Sequence, residues 1–138
     1  SSLALQWLQN PDVFLNEAYR IAHPGATLAI ATLTQRTLQE LSQAYQLAGY
    51  APSVLDFRPA DQLPQKCEEI GWRCHTVKMQ KLVRHQPFWQ LLHQLKGIGA
   101  NYPNAGRGVA LRRVARAYHF ATKRQEHETV PATWEVQY

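Results

Sequence analysis

The sequence predicts a layered α/β fold, and three observations support this class. Helical and extended patterns alternate along the 138 residues, in the order helix, strand, helix, helix, strand, helix, helix, strand. The stretch ATLAIATLT, residues 26–34, is apolar or threonine throughout and bounded by turn residues, which is typical of a strand buried on both faces. Residues 132–138 alternate between apolar and polar side chains with the period of a strand.

Cap and turn residues give the limits of the first predicted helix. Asn10 is a good N-cap and Pro11 suits the first helical position, so a helix is predicted to begin here. Phe14, Ala18 and Ile21 recur at i, i+4 and i+7 and are predicted to form its inner face. The His-Pro-Gly turn that follows ends this helix before the apolar strand.

Two further helices are predicted between the apolar strand and a second strand. Thr37 and Glu40 have the spacing of a capping box, and Gly49 is a suitable C-cap for the helix that they start. The residues predicted to face the core from this helix are Leu38, Leu41, Tyr45 and Ala48. The next helix is predicted to end at Gly71. Its inward residues are Leu63, Cys67 and Ile70.

The second half of the chain is predicted to contain a strand, two helices and a final strand. Residues 72–84 favour a strand with a bulge near Thr76. Pro87 starts a helix, and residues 107–126 predict a long amphipathic helix after the loop GIGANYPNAGRG. The residues predicted to face inward from the helix after Pro87 are Phe88, Leu91, Leu92, Leu95 and Ile98.

The composition limits the classes of protein to which the chain could belong. Hydrophobic residues make up 45%, which excludes a disordered polymer, and no run of about 18 apolar residues predicts a membrane span. The net charge of +5 and the pI of about 9.5 suit nucleic acid, an acidic protein or an anionic substrate. Cys67 and Cys74 match no metal motif; reduced thiols are favoured over a structural disulfide, which indicates a cytoplasmic location.

Several stretches of the sequence are similar to one enzyme family. LALQW, followed by a helix and then HPGATLAIATLTQRTLQEL, resembles the second half of a class I S-adenosylmethionine-dependent methyltransferase. LKGIGANYPNAGRG, LRRVARAYHF and PATWEVQY narrow the resemblance to the malonyl-acyl-carrier-protein O-methyltransferases of biotin synthesis. The resemblance covers essentially the whole chain, although Ala26 stands where the family usually has a second glycine.

The resemblance implies that residues 1–138 are the C-terminal part of a single Rossmann-like methyltransferase domain, with a helical insert or lid over residues 86–126. In the family, a Gly-rich turn after the first strand cradles the cofactor, and no such turn occurs here, since Gly97-x-Gly99 follows a predicted helix. We therefore expect a fragment that lacks the N-terminal cofactor-binding strands. Its partner would be the missing half of the same protein, and the fragment alone would be inactive.

The resemblance also implies which residues border the ligands. Leu5 and Gln6 would border the methionine part of S-adenosylmethionine, with Trp7 nearer the acceptor pocket, at the carboxyl end of a strand where open α/β sheets bind ligands. The alternative is that Leu5 and Trp7 only seal the core. Methyl transfer to a carboxylate needs positioning rather than a strong base, and no Ser-His-Asp set occurs, so no catalytic residue or metal ligand is assigned.

Three residues near the Gly-rich loop are candidates for binding the substrate. Arg107 could bind the free malonyl carboxylate through two hydrogen bonds, Lys96 lies beside the loop, and Tyr102 could line the acyl entrance. For Arg107 and Lys96, the alternative is a solvated surface residue.

A basic helix face is predicted to dock the carrier protein. Arg112, Arg116, His119 and Lys123 recur at i, i+4, i+7 and i+11, and residues 107–125 contain no acid. Acyl carrier proteins are strongly acidic, so such a face would suit one; a plain solvated face is the alternative. Nucleic acid is disfavoured because it requires exposed aromatic residues between the basic ones, and Tyr118 belongs to the apolar stripe.

The function predicted from these residues is methyl esterification of malonyl-acyl-carrier-protein. One alternative is a class I methyltransferase with another small acceptor. The other is a non-catalytic basic α/β module that binds an acidic protein or nucleic acid. No membrane partner is expected.

Overall fold

The computed structural model describes residues 3–52, 55–77, 79–97 and 109–138, which form five α-helices, three strands and one 3₁₀ turn, Leu5–Trp7. The helices are α1 (Pro11–Ile21), α2 (Gln39–Leu47), α3 (Gln62–Ile70), α4 (Phe88–Gly97) and α5 (Leu111–Ala121). The strands are β1 (Thr32–Leu33), β2 (Met79–Gln86) and β3 (Val130–Gln137). They form a sheet in the order β1-β3-β2, with β1 antiparallel to β3. The predicted α/β class is thereby confirmed, and the fold is consistent with the C-terminal part of a methyltransferase.

The described chain divides into two compact units. The first contains Ser1–Gln35, Phe57–Lys81 and Glu135–Tyr138, and the second contains Arg36–Asp56 and Leu82–Trp134. The predicted boundaries, one domain over residues 1–138 with a helical lid over residues 86–126, stay predictions.

The second unit has a helical core that the sequence anticipated. α2 packs on α5, and the inner faces of α2, α4 and α5 bury apolar side chains together with the start of β3. The core residues are Leu38, Leu41, Ala44, Tyr45, Ala48, Phe88, Leu91, Leu95, Val114, Ala115, Tyr118, Val130 and Ala132. The inward residues predicted for α2 are therefore confirmed, as are Phe88, Leu91 and Leu95 of α4, with Leu92 half-buried and Ile98 outside the described residues.

The start of α1 in the first unit confirms its predicted cap. The Asn10 Oδ1 accepts hydrogen bonds from the backbone N–H groups of Asp12 and Val13, at 3.2 and 3.4 Å. The Asp12 carboxylate also pairs with Arg58 at 2.7 Å, so the segment before α3 is joined to the first turn of α1.

The inner face predicted for α1 is wrong at Phe14 and Ile21, whereas its third residue, Ala18, is half-buried. Phe14 and Ile21 are 36% and 68% exposed, whereas Leu15 is fully buried. The physical reason is that α1 packs on α3 and on Trp72, whose indole N–H donates to the carbonyl of Leu15 at 3.4 Å. These contacts lie on the Leu15 side of the helix, one residue further round than the predicted face.

The strand predicted over residues 26–34 is reduced to β1. Thr32 pairs with Gln137 and Leu33 with Val136, while residues 26–30 are not in a strand. A strand is held by a hydrogen-bonded neighbour, and β3 offers one only at the end of the apolar run. The apolar composition of the run identified a segment suited to a sheet, but a partner decides how much of it becomes strand.

Three other predicted limits differ from the structure. β2 begins at Met79 rather than at residue 72. α5 spans Leu111–Ala121, so it is shorter than the predicted range 107–126. The predicted capping box is displaced: the N-cap of α2 is Leu38 rather than Thr37, and Leu38 adopts a left-handed conformation with φ of 54°. Glu40 instead turns to β3, where its carboxylate accepts a hydrogen bond from the backbone N–H of Thr133 at 3.2 Å.

β3 is confirmed as a strand, and it buries polar as well as apolar side chains. Thr133, Glu135 and Gln137 are all at most 9% exposed. β3 lies between β1 and β2, so the backbone hydrogen bonds of a central strand leave both of its faces available for packing. The buried polar groups are hydrogen-bonded, as the amide of Gln137 is to the Thr76 hydroxyl at 3.1 Å.

Candidate functional site

The 3₁₀ turn Leu5–Trp7 contains the three residues predicted to border the cofactor and the acceptor pocket. Leu5 is buried, Gln6 is half-buried, and Trp7 is 47% exposed. The backbone N–H of Leu8 donates to the carbonyl of Leu5 at 3.1 Å and closes the turn. The burial of Leu5 agrees with a sealing role in the core, whereas nearly half of Trp7 is open to a ligand.

The side-chain amide of Gln6 connects this turn to β1. Its Nε2 donates to the carbonyl of Leu3 at 2.7 Å, and its Oε1 accepts from the Thr32 hydroxyl at 3.4 Å. The backbone N–H of Leu3 donates to the carbonyl of Ala31 at 2.8 Å, so the chain before the turn lies beside the segment that enters β1. An amide has two N–H donors and two acceptor lone pairs, so Gln6 retains one further donor and one further acceptor position for a ligand.

An open cleft of about 1470 Å³ lies in the first unit. Its walls are residues 22–31, residues 71–77, part of α3, and the end of β3. Clefts that bind small molecules usually measure about 300–1000 Å³, so this one is larger than a single small ligand needs. The apolar run predicted to be a buried strand forms one wall of the cleft.

The residues predicted to bind the malonyl substrate are only partly within the described chain. Lys96 is exposed in the last turn of α4, where a positive charge is favourable at the helix C-terminus. Gly97 ends this helix, so Gly97-x-Gly99 follows a helix rather than a strand, as expected. Tyr102 and Arg107 lie outside the described residues. Lys96 belongs to the second unit, and the turn Leu5–Trp7 belongs to the first.

α5 and the turn after it contain the four residues predicted to meet an acidic carrier. Arg112 and Arg116 are exposed on the helix, and Lys123 is exposed just beyond its end with φ of 54°. His119 is only 6% exposed, so its expected place on the exposed basic face is wrong. After the helix the backbone N–H of Arg124 donates to the His119 carbonyl at 2.9 Å. Its Nδ1 has no hydrogen-bond partner within the described part of the chain.

The exposed arginines of α5 differ in their electrostatic environment. Arg116 pairs with Glu126 at 3.3 Å, and both side chains are more than 70% exposed, so water screens the pair and it contributes at most about 1 kcal/mol. Arg112 forms no ion pair with any other described residue. Glu126, which lies just beyond the stretch without acids, thus pairs with part of the basic face. Arg112 lies at the end of that face that this acid does not neutralise.

Two acid–hydroxyl pairs on β3, one buried and one partly buried, were not predicted from the sequence. The hydroxyl of Thr133 donates to the Glu40 carboxylate, and the hydroxyl of Thr34 donates to the Glu135 carboxylate. Each pair lies within one unit and satisfies polar groups that burial would otherwise destabilise. The only sequence signal was that polar residues alternate with apolar ones in β3. Such alternation is typical of a sheet with one face covered and one face in solvent, so it predicts exposed rather than buried polar residues.

The described residues provide neither a metal centre nor a membrane span. No group of three or more His, Cys, Asp or Glu side chains in those ranges could hold a metal ion. None of the helices that the structure describes combines the length and apolar character needed to cross a bilayer.

Comparison with known proteins adds sequence relatives to this geometry. No protein-family model matches the chain. Over 139 residues the chain is 32% identical to the malonyl-[acyl-carrier protein] O-methyltransferase of Hahella chejuensis, a match that covers 99% of this chain and 50% of that protein. The protein of the same name from Pectobacterium atrosepticum is 33% identical, with 100% of this chain and 54% of that protein covered.

A longer relative has the same kind of match. The biotin biosynthesis bifunctional protein BioHC of Teredinibacter turnerae is 31% identical over 145 residues, which is 100% of this chain and 25% of that protein. The chain spans about half the length of the malonyl-[acyl-carrier protein] O-methyltransferases that it matches.

Proposed function

We propose that this chain, which belongs to the malonyl-[acyl-carrier protein] O-methyltransferase family, is part of an enzyme that methylates the free carboxylate of malonyl-acyl-carrier-protein in biotin synthesis. The observation that supports this most directly is the 32–33% identity to proteins of that name over the whole chain. Because the match covers about half of each relative, the activity, substrate and partner of the whole protein are all part of the proposal. A cytoplasmic location stays a prediction from the sequence.

The proposed chemistry requires positioning more than acid or base catalysis. S-adenosylmethionine supplies a methyl group bonded to a positively charged sulfur when it is bound. A carboxylate is already a nucleophile at neutral pH, so its oxygen needs only to be held in line at about 3 Å from that carbon. The protein must therefore orient two ligands, neutralise the carboxylate that it orients, and exclude water.

The residues of this chain suit the border of a cofactor site rather than its centre. Gln6 is half-buried and retains a donor and an acceptor position, which fits contact with the polar methionine end of S-adenosylmethionine. Leu5 beside it is buried and would support the position of the turn. The main cofactor contacts would come from the part of the relatives' length that this chain does not cover.

The residues predicted to bind the malonyl substrate each keep their proposed role. Trp7 offers an exposed apolar ring for the acyl part, and Tyr102 would line its entrance. Arg107 would bind the malonyl carboxylate, with the exposed ammonium of Lys96 as a second positive charge near it in sequence. These roles extend the predictions made from the sequence.

The exposed arginines of α5 would dock the carrier protein. Arg112, Arg116 and Lys123 are exposed and positive, and an acidic carrier would be steered toward them. His119 is excluded from this surface by its burial. Because these side chains are exposed rather than lining a pocket, they would act on the encounter with the carrier rather than on the reacting carboxylate.

The activity is tested with the full-length protein that contains this chain. We expect transfer of a labelled methyl group from S-adenosylmethionine to malonyl-acyl-carrier-protein, and no transfer to the same carrier loaded with an acetyl group, which lacks a free carboxylate. Transfer to an unrelated small acceptor but not to the malonyl carrier would favour another class I methyltransferase. Binding of an acidic protein with no methyl transfer to any acceptor would favour a non-catalytic module.

The docking role is tested by comparing two double variants, one on α5 and one in the first unit, that change the net charge by the same amount. Arg112→Glu with Arg116→Glu should lower kcat/KM for the malonyl carrier roughly tenfold or more, with little effect on a small malonyl thioester, and the loss should shrink as salt rises. The control is Arg20→Glu with Arg73→Glu, two exposed arginines of the first unit. Equal losses on both substrates, or equal losses in the control, would contradict docking at α5.

A further inference from the structure

The end of α3 brings the chain back on itself immediately after a buried cysteine. Cys67 is 6% exposed and lies in the penultimate turn of the helix. Gly71 follows with φ of 117°, and the backbone N–H groups of Gly71 and Trp72 both donate to the carbonyl of Cys67, at 3.2 and 3.0 Å. This reversal directs the following segment back along the helix that it has just left.

The segment after the turn places a second cysteine on the side that faces the helices. Trp72 and Cys74 are half-buried, while Arg73 and His75 between and after them are exposed, which is the alternation of an extended chain. Trp72 fixes which side is inward, because its ring packs edge-on against Tyr19 of α1 at 5.3 Å between ring centres. Cys74 therefore lies on the same side of this segment as Trp72.

The two thiols line the same cleft, and both are unoxidised. They are separated by only six residues of chain, and the left-handed turn at Gly71 is what brings them together. Neither thiol has a part in the methyl transfer proposed above, which requires no thiol.

We propose that Cys67 and Cys74 form a redox-active dithiol site, which low-molecular-weight disulfides of the glutathione type oxidise to an intramolecular disulfide. The new bond would join the last part of α3 to residues 71–77, and so would lock one wall of the cleft. Its closure requires the two Cα atoms to lie within about 7 Å of each other, and the chain reversal at Gly71 brings both residues to the same cleft.

The exposure of the two cysteines sets the order of the exchange. Burial, together with the neighbouring Cys74 thiol, raises the pKa of Cys67 to about 11, so Cys67 stays protonated at neutral pH. Cys74, the more exposed of the two, attacks the small disulfide first, its proton passes to the small thiolate that is released, and a mixed disulfide is left at Cys74. Cys67 then loses its proton and attacks the Cys74 sulfur, which releases the second small thiolate.

The exchange balances in atoms and electrons. Two protein S–H bonds and the S–S bond of the small disulfide are broken, and one protein S–S bond and two small thiols are formed. The protein dithiol is oxidised by two electrons, and the small disulfide is reduced by the same two.

Trypsin provides a direct test because its sites separate the two cysteines. Cleavage after Lys66, Arg73 and Lys78 places Cys67 in CEEIGWR and Cys74 in CHTVK. The full-length protein is treated with oxidised glutathione, free thiols are blocked, and the digest is analysed by mass spectrometry without reductant. We expect the two peptides joined by a disulfide and released by reductant. Recovery of both peptides blocked and unjoined, or joined only to other cysteines, would overturn the proposal.

Two matched single variants test the order of attack. Cys67→Ser should accumulate a lasting mixed disulfide at Cys74, because the second thiol is missing. Cys74→Ser should form a mixed disulfide at Cys67 roughly tenfold more slowly, because that thiol is buried and protonated. Equal rates in the two variants would contradict the assigned order, and the wild-type peptide map tests the dithiol site even if either variant folds poorly.

Discussion

Replacing Gly71 by alanine should destabilise the protein by roughly 2–3 kcal/mol. The residue has φ of 117° and ψ of 4°, a conformation that costs a residue with a Cβ about 1–2 kcal/mol. The new Cβ would also lie 2.6 Å from the hydroxyl oxygen of Tyr19 and 2.8 Å from its Cζ. Tyr19 would have to move and lose its edge contact with Trp72, which contributes about 0.5–1.5 kcal/mol.

Gly25→Ala is the matched control for this substitution. Gly25 has φ of 83°, but a Cβ there would meet nothing within 4 Å, so only the conformational cost of about 1–2 kcal/mol remains. The assay is urea unfolding of the full-length protein followed by tryptophan fluorescence, with free energies extrapolated to water. Adding Tyr19→Ala to Gly71→Ala should reduce its cost to that of the control. If the two glycine variants lose equal stability, or if Tyr19→Ala restores nothing, the steric argument is refuted.

The remaining predictions concern buried polar and ionisable groups. Tyr118→Phe should cost about 1–2 kcal/mol in urea unfolding, because the buried hydroxyl donates to the Pro131 carbonyl at 2.6 Å and that carbonyl would lose its partner; an unchanged midpoint would contradict this. Glu40→Ala should cost about 1–3 kcal/mol and should show coupling with Thr133→Val in a double-mutant cycle, whereas additive effects would exclude their interaction. The pKa of Cys67 is raised from 9.0 to about 11, so the folded state keeps its proton longer than the unfolded state. Its contribution should therefore be complete below pH 9 and fall by at most about 3 kcal/mol as the pH rises toward 11, and Cys67→Ala should flatten that part of the pH–stability curve.

Local signals were sufficient where one short segment decides the outcome. Asn10 caps α1, and Gly71 ends α3 in a left-handed conformation, because each depends only on the backbone groups within one turn of the helix. The inward faces of α2 and α4 also followed from sequence, since strong helical periodicity with one apolar side leaves one way to bury it. The family was identified from short motifs, and the whole-chain identity to its members confirms that identification.

The site was predicted less completely because its residues depend on contacts far along the chain. The placement of Gln6 beside β1 depends on hydrogen bonds to Leu3 and Thr32, and the second of these lies 26 residues away. His119 has the spacing of an exposed basic face, yet it is only 6% exposed in the fold. Helical periodicity does not include contacts from outside the helix, so it could not exclude His119.

What the sequence determined by itself was the class of fold, most helices and the family, because these depend on periodicity, caps and motifs written along the chain. What only the tertiary structure decided was which side chains meet. Residues 26–34 are apolar enough for a buried strand, but a strand also needs a neighbour with free backbone groups, and β3 supplies one only at Thr32–Leu33. The polar residues of β3 could be buried only because acid and hydroxyl partners from other segments arrive opposite them, as Glu40 does for Thr133, and that meeting depends on the fold of the chain between them.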